Sequence, residues 1–136
     1  MAKDYNPKNV SVIVGGHTVQ GYAEGAFVKF AQNEDTYNLT KGSDGEGARA
    51  QSSDDSGRMT IMLMQTSESN DVLSALHNAG SQVPCLIRDF NGTTLVSCVT
   101  GWVIRNPDIE FSNEITTREF IIESDAWDVL VGGIPA

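Results

Sequence analysis

The chain is 136 residues long, enough for one domain with a modest core, and 40% of it is apolar and 20% charged, as in ordinary soluble globular proteins. Its formal charge is −9, from 9 basic and 18 acidic residues, which excludes a surface built to grip phosphates. The charge does not exclude a surface past which nucleic acid slides without adhering, since like charges repel over a Debye length of about 8–10 Å at physiological salt.

At the N-terminus, residues 1–7 read as a loose arm closed by Pro7. One lysine, Lys3, is followed by no apolar stretch, and no apolar run nears the roughly 20 residues of a membrane span, so the chain is expected to begin in the cytosol. Val10, Val12 and Val14 alternate with Asn9, Ser11 and Ile13, a strand pattern, and Gly15-Gly16 then forms a hairpin turn into His17-Thr18-Val19. Further strands are expected at 27–31 and 36–40. Residues 41–57, with four glycines, several serines and the acids Asp44, Glu46, Asp54 and Asp55, lack an apolar pattern and read as a long flexible loop.

Strand character resumes at Arg58 to Thr66. Met59 differs in parity from Met62 and Met64, so methionines lie on both faces of this strand, and the second face needs cover from the helix or a neighbouring subunit. One helix is expected at about 68–79: Ser67 or Ser69 caps it, Glu68 and Asp71 favour its positive end, and Val72, Leu73, Leu76 and Ala79 make its apolar stripe before Gly80 stops it. A type I′ turn at Asn91-Gly92 would pair Phe90 with Thr93 and set Cys85 opposite Cys98 at a non-hydrogen-bonded position. A disulfide is conceivable there, but two reduced, buried thiols are expected in a cytosolic protein. Strands at 101–105 and 115–123 follow, and the apolar tail from Trp127 is expected to pack back. Many short strands, frequent turns and one helix indicate a mostly β fold, with two packed antiparallel sheets or a rolled β-barrel and one flanking helix.

Catalytic chemistry is missing from this pattern. His17 and His77 belong to no metal-spaced cluster, and the cysteines form no CxxC pair. Gly42-Ser-Asp-Gly-Glu-Gly47 lacks the Lys-Ser/Thr of a phosphate loop and the spaced acids of a calcium loop. Asn9-Val-Ser, Asn38-Leu-Thr and Asn91-Gly-Thr match a glycosylation pattern that has meaning only in a secreted protein. No catalytic residue, metal ligand or cofactor is therefore expected, and the chain reads as a structural protein. In the last long strand, Ile115, Thr117, Glu119, Ile121 and Glu123 share one face and Thr116, Arg118, Phe120, Ile122 and Ser124 the other. Neither face is cleanly polar, which points to a strand covered on both sides, with a copy of the same chain as the commonest cover.

The stretch Gly45 to Leu76, beginning Gly-Glu-Gly-Ala-Arg-Ala-Gln and ending Asp-Val-Leu-Ser-Ala-Leu, resembles a family of phage structural proteins assigned to the tail tube of long-tailed phages. The likeness extends over most of the chain, including Tyr5-Asn-Pro-Lys-Asn-Val-Ser-Val-Ile-Val14. It implies two packed β-sheets with a flanking helix, six copies joined into a β-lined ring, and rings stacked into a hollow tube that carries DNA during ejection and holds a tape-measure protein beforehand. Related tubes occur in pyocins and type VI secretion systems. The implied setting is the virion tail, assembled in the host bacterial cytoplasm, with a surrounding sheath in contractile phages and with baseplate and tail terminator proteins as further partners; neither membrane association nor specific DNA binding is implied.

Ring closure would satisfy open sheet edges with sister chains. The resemblance also makes 41–57 an inter-ring contact through Lys41, Asp44, Glu46, Arg49, Asp54 and Asp55, flexible in the free subunit and ordered on stacking. Candidates for residues facing the lumen are Lys29, Arg58, Thr60, Thr117, Glu119 and Glu123, two of them basic. The rival readings are another self-assembling part, such as a secretion-type or pyocin tube or a connector subunit, and a monomeric β-barrel binding module, for which Trp102 and Trp127 offer no clustered stacking platform.

Overall fold

The computed structural model describes residues 3–134, so Met1 and Ala2 of the expected arm lie outside the described residues. The elements run β1 (Val10–Val14), β2 (His17–Thr18), β3 (Val28–Gln32), β4 (Tyr37–Lys41), β5 (Gly47–Gln51), β6 (Gly57–Met64), α1 (Ser69–Ala79), β7 (Val83–Asp89), β8 (Leu95–Val103), β9 (Thr117–Ser124) and β10 (Asp128–Leu130). Eight strands form one antiparallel sheet in the order β2-β1-β7-β8-β9-β6-β3, with β10 joined to β8, and β4-β5 form a separate two-stranded sheet. The mostly β architecture with one helix is as expected from the sequence. The second sheet, though, is a wholly exposed hairpin, and the large sheet packs against itself by rolling.

The roll follows from alternation. Val12 and Val14 of β1, Cys85 and Ile87 of β7, Val96, Cys98 and Val103 of β8, Phe120 and Ile122 of β9, and Met59, Ile61 and Leu63 of β6 are all buried in one cluster. Successive side chains on a strand point to opposite faces, so this set defines one concave face closed on itself. Leu73 of α1 plugs into the cluster fully buried, with Leu76 partly so. The expected stripe is thus narrower than its periodicity suggests, for Val72 is only half-buried and Ala79 is exposed. Ser67 Oγ accepts the Ser69 N–H at 3.2 Å, and Gly80, in the left-handed region at φ +66°, ends the helix with its N–H on His77 O and the Ser81 N–H on Leu76 O.

The first hairpin turns as expected at Gly15 and Gly16, whose φ of +58° and +84° suit a type I′ turn, and pairs Val14 with His17. The β7–β8 hairpin keeps the expected register, Cys85 opposite Cys98, but not the expected turn. Among the described residues no non-glycine has positive φ, which a type I′ turn would require of Asn91; instead the Asn91 side chain bonds Asp89 Oδ1 and both Asn6 and Asn9, and Gly92 N–H reaches Asp89 O at 3.3 Å. Asp89 N–H bonds Thr94 O, so by alternation Cys85 and Cys98 occupy a hydrogen-bonded pair and not the expected non-hydrogen-bonded one. Asn6, in the expected arm, is thereby hydrogen-bonded to this turn.

The second arm of the expected Cys85–Cys98 hairpin and the strand expected at 101–105 merge into one, β8, through a bulge between the Cys85–Cys98 and Val83–Gly101 pairs. A Cβ on Gly101 would stand 2.9 Å from Cys85 Sγ and 3.0 Å from Cys98 Sγ, so the two thiols occupy the space that only glycine leaves open. Along its other edge β8 pairs with β10 at Leu95–Ser97 and with β9 at Gly101–Val103, which bends the sheet into its roll. The tail packs back as expected: Trp127 is buried, donates Nε1–H to Gly57 O at 2.9 Å and stands 5.1 Å from Phe30.

Candidate assembly surfaces

The six residues expected to face a lumen lie on one continuous outward face. In β3-β6-β9, Lys29 is opposite Thr60 and Thr60 opposite Ile121; Arg58 is opposite Glu123; Met62 is opposite Glu119; Met64 is opposite Thr117. Residues directly opposite in a ladder share a face, and the alternate positions, Met59, Ile61, Leu63, Phe120 and Ile122, face the core. Arg58 Nε is 3.6 Å from Glu123 Oε2, with both side chains partly solvated. Two cations and two anions leave this face near neutral in a strongly acidic chain, and half-buried Met62 and Ile121 interrupt its polarity. Met62 and the more exposed Met64 are thus the second-face methionines of β6 left without a core environment. β3 pairs only with β6, so its outer edge carries unpaired backbone donors and acceptors among the described strands.

The segment expected as a loop at 41–57 differs from that reading. Gly47–Gln51 is a strand, paired with Tyr37–Lys41 in the register Leu39–Arg49 and Lys41–Gly47, and only 42–46 and 52–56 connect strands. The apolar pattern is missing because every residue of this hairpin is exposed, so backbone hydrogen bonds and not a buried face hold it. The Arg49 guanidinium lies 4.1 Å over the Tyr37 ring. Lys41, Asp44, Glu46 and Arg49 sit on the hairpin, with Asp44 Oδ1 accepting the Glu46 N–H in its turn. Asp54 and Asp55 stand apart at its base, where Asp55 O accepts the Trp127 N–H. The Ser56 hydroxyl and N–H hold the exposed Asp54 carboxyl below its usual range.

Two further surfaces were not singled out by sequence. The outward face of β1-β7-β8-β10 carries Ile13 opposite Leu86, Leu130 opposite Leu95, and Val99, which is 80% exposed. Alternation within 95–99 was the available signal, but equally apolar positions on both faces hid which one is outside. At the far end of β8 the connection 104–116 exposes Ile109, Phe111 and Ile115. It is fastened from beneath: buried Arg118 donates to Glu110 O and to Thr116 Oγ1 and lies 5.5 Å from the Phe111 ring, while Gln65 Oε1 accepts the Thr116 N–H at 2.9 Å.

His17 and the two cysteines have local partners. His17 Nε2 is 3.0 Å from Ser69 Oγ, but Ser69 is 2% exposed and its hydroxyl oxygen also accepts the Gln20 N–H. The pair ties β2 to the start of α1 and gives the His17 ring its local partner. Cys85 and Cys98 are free thiols. Contact between them, with burial, pushes Cys85 up, and the same contact draws Cys98 down. Among the described residues no three His, Cys, Asp or Glu side chains are grouped to hold a metal, and no helix is long and apolar enough to cross a membrane.

A family profile described as "Bacteriophage PhiTE tail tube protein" matches residues 10–132. The structural protein ORF10 of Pseudomonas phage KPP10 is 30% identical over 131 aligned positions, covering 87% of this chain and 76% of that protein. Two solved structures share the fold. The tube-terminating cap of the anti-feeding prophage has a TM-score of 0.63 at 11% identity, covering 96% of this chain and 94% of its own. The sheath/tube terminator of an extracellular contractile injection system, PVC, in the extended state has a TM-score of 0.64 at 13% identity, covering 96% and 99%.

Proposed function

Because the chain belongs to the bacteriophage PhiTE tail tube protein family, we propose that it is the tube subunit of a phage tail, closing with sister copies into hexameric rings that stack into the channel for DNA ejection. The observation that carries this reading is the continuous outward face of Lys29, Arg58, Thr60, Thr117, Glu119 and Glu123 beside the open edge of β3. Laid against sister sheets, that face becomes the wall of a lumen, and the unpaired edge finds its hydrogen-bond partners in the neighbouring chain. The wall itself is balanced in charge, so repulsion of DNA comes from the whole ring: six chains at −9 each give about −54. A surface without clustered cations lets DNA pass without gripping it.

The hairpin with Lys41, Asp44, Glu46 and Arg49, and the Asp54–Asp55 base, form an inter-ring contact in this scheme. Amide exchange over 37–57 is then fast in the free subunit and slow in the tube; equal rates in both would remove this role. A tape-measure protein fills the channel before ejection, and sheath, baseplate and terminator proteins bound the tube. The contractile injection system of one structural neighbour supports a contractile tail. Negative-stain images of concentrated protein test the function: rings or tubes with a central hole are expected, and a compact monomer at every concentration would refute it. A second reading, a terminating ring that never elongates, is favoured by the cap and terminator structures sharing the fold. It yields single rings and no tubes in the same images.

A further inference from the structure

We propose that the axial contact between stacked copies includes the apex of the 104–116 connection of one chain seated on the clamp that gathers both chain ends in the next. This rests on the stacked-ring reading and adds a contact beyond the hairpin. Two unlike apolar clusters lie at opposite ends of β8, a strand of 9 residues. At one end Ile109, Phe111 and Ile115 are 69%, 79% and 62% exposed. At the other, Phe90, Leu130 and Val131 are 58%, 58% and 81% exposed, beside Leu95.

Each cluster is held rigidly, although it is bare. The Arg118 and Gln65 bonds present the apex from below. The clamp is the 89–94 turn: Asn91 bonds the N-terminal segment through Asn6 and Asn9, and Thr94 bonds Gly132 of the C-terminal segment in both directions, at 2.9 and 3.1 Å. A segment whose backbone is fastened before association loses less entropy on binding.

The occupant is a second copy for two reasons. A subunit with different apolar surfaces at its two poles makes a head-to-tail contact, and such a contact that does not close on itself propagates as a filament. The charges also suit each other. Asp108, Glu110 and Glu114 alternate with the apex apolar residues against exposed Arg105 and buried Arg118, whereas Lys8, next to Asn9, and Arg88, over the Phe90 ring, balance Asp89 and Asp128 at the clamp, in a chain with two acids for every base. Strands in a barrel wall are tilted but run from rim to rim, so their end connections face the neighbouring rings.

The test uses the full chain and the variants Phe111→Glu and Val131→Glu, polymerised and examined by negative stain and sedimentation. Both side chains are exposed, so circular dichroism and the urea midpoint stay as in the parent. Each variant is expected to lower the mass of tubes at least about tenfold, as loss of an interface anchor does, while single rings persist. Normal tubes from either variant would overturn the pairing of these two clusters. Loss of rings together with tubes would overturn its axial placement. A parent protein that forms neither would remove the stacked-ring reading and this contact with it.

Discussion

The two outward faces of the rolled sheet differ in what they expose. On β3-β6-β9 the outward positions are mostly polar or charged, and Arg58 and Glu123 pair across the ladder. On β1-β7-β8-β10 they include Ile13, Leu86, Leu95, Val99 and Leu130, with Val99 80% exposed. A continuous core lies behind both, so the difference was not imposed by folding. A solvated wall and a contact surface make opposite demands, and exposed aliphatic side chains such as Val99 and Leu130 suit the second better than the first.

The shared core supports both faces at once. Phe120→Ala, behind the polar face, is expected to lose about 3–5 kcal/mol. Both faces should then unfold in one urea transition followed by tryptophan fluorescence and circular dichroism; two separated transitions would show two independent units. Gly101→Ala strikes where β8 passes from one face to the other. With both thiol sulfurs about 3 Å from the new methyl, a cost of about 1–3 kcal/mol is expected from the same titration.

Smaller effects sharpen the contrast. Val99→Asp should change the subunit's stability by no more than about 0.5 kcal/mol, yet reduce light scattering at high concentration, because it removes exposed apolar surface. Arg58→Gln breaks a partly solvated ion pair and should cost less than about 1 kcal/mol, less still in high salt. The smallest effect concerns Asp54. Its folded-state pKa is depressed by Ser56, so its contribution is present above the ordinary carboxylate range and fades as pH falls through the lowered value. Ser56→Ala should bring the Asp54 titration, followed by NMR, back toward that of a free carboxylate.

Strand positions were legible wherever one face is buried, because alternation then shows in composition: β1, β6 and β9 lie within about two residues of their expected bounds. The hairpin at 37–51 escaped because both its faces are solvated, so its second strand left no apolar trace. The Asn91 turn misled because Asn-Gly suits a type I′ turn locally, whereas the Asn91 side chain forms better bonds with Asn6, Asn9 and Asp89. The polar face was legible residue by residue through parity, but its unity needed the strand order β3-β6-β9, which joins residues up to 94 positions apart, Lys29 and Glu123. The apex and the clamp were not legible, since they depend on which ends of the strands coincide.

The most direct measurement places single cysteines at Thr60 and Glu119 on the polar face and at Val99 on the aliphatic face, and compares a small maleimide with a bulky polymer-linked one. Cys85 and Cys98 are buried and give a low background. In free subunits all three positions should react with both reagents. In assembled tubes the cysteines at 60 and 119 should still take the small reagent and refuse the bulky one. Undiminished labelling of those two positions by the bulky reagent in tubes would show that the polar face does not line a channel.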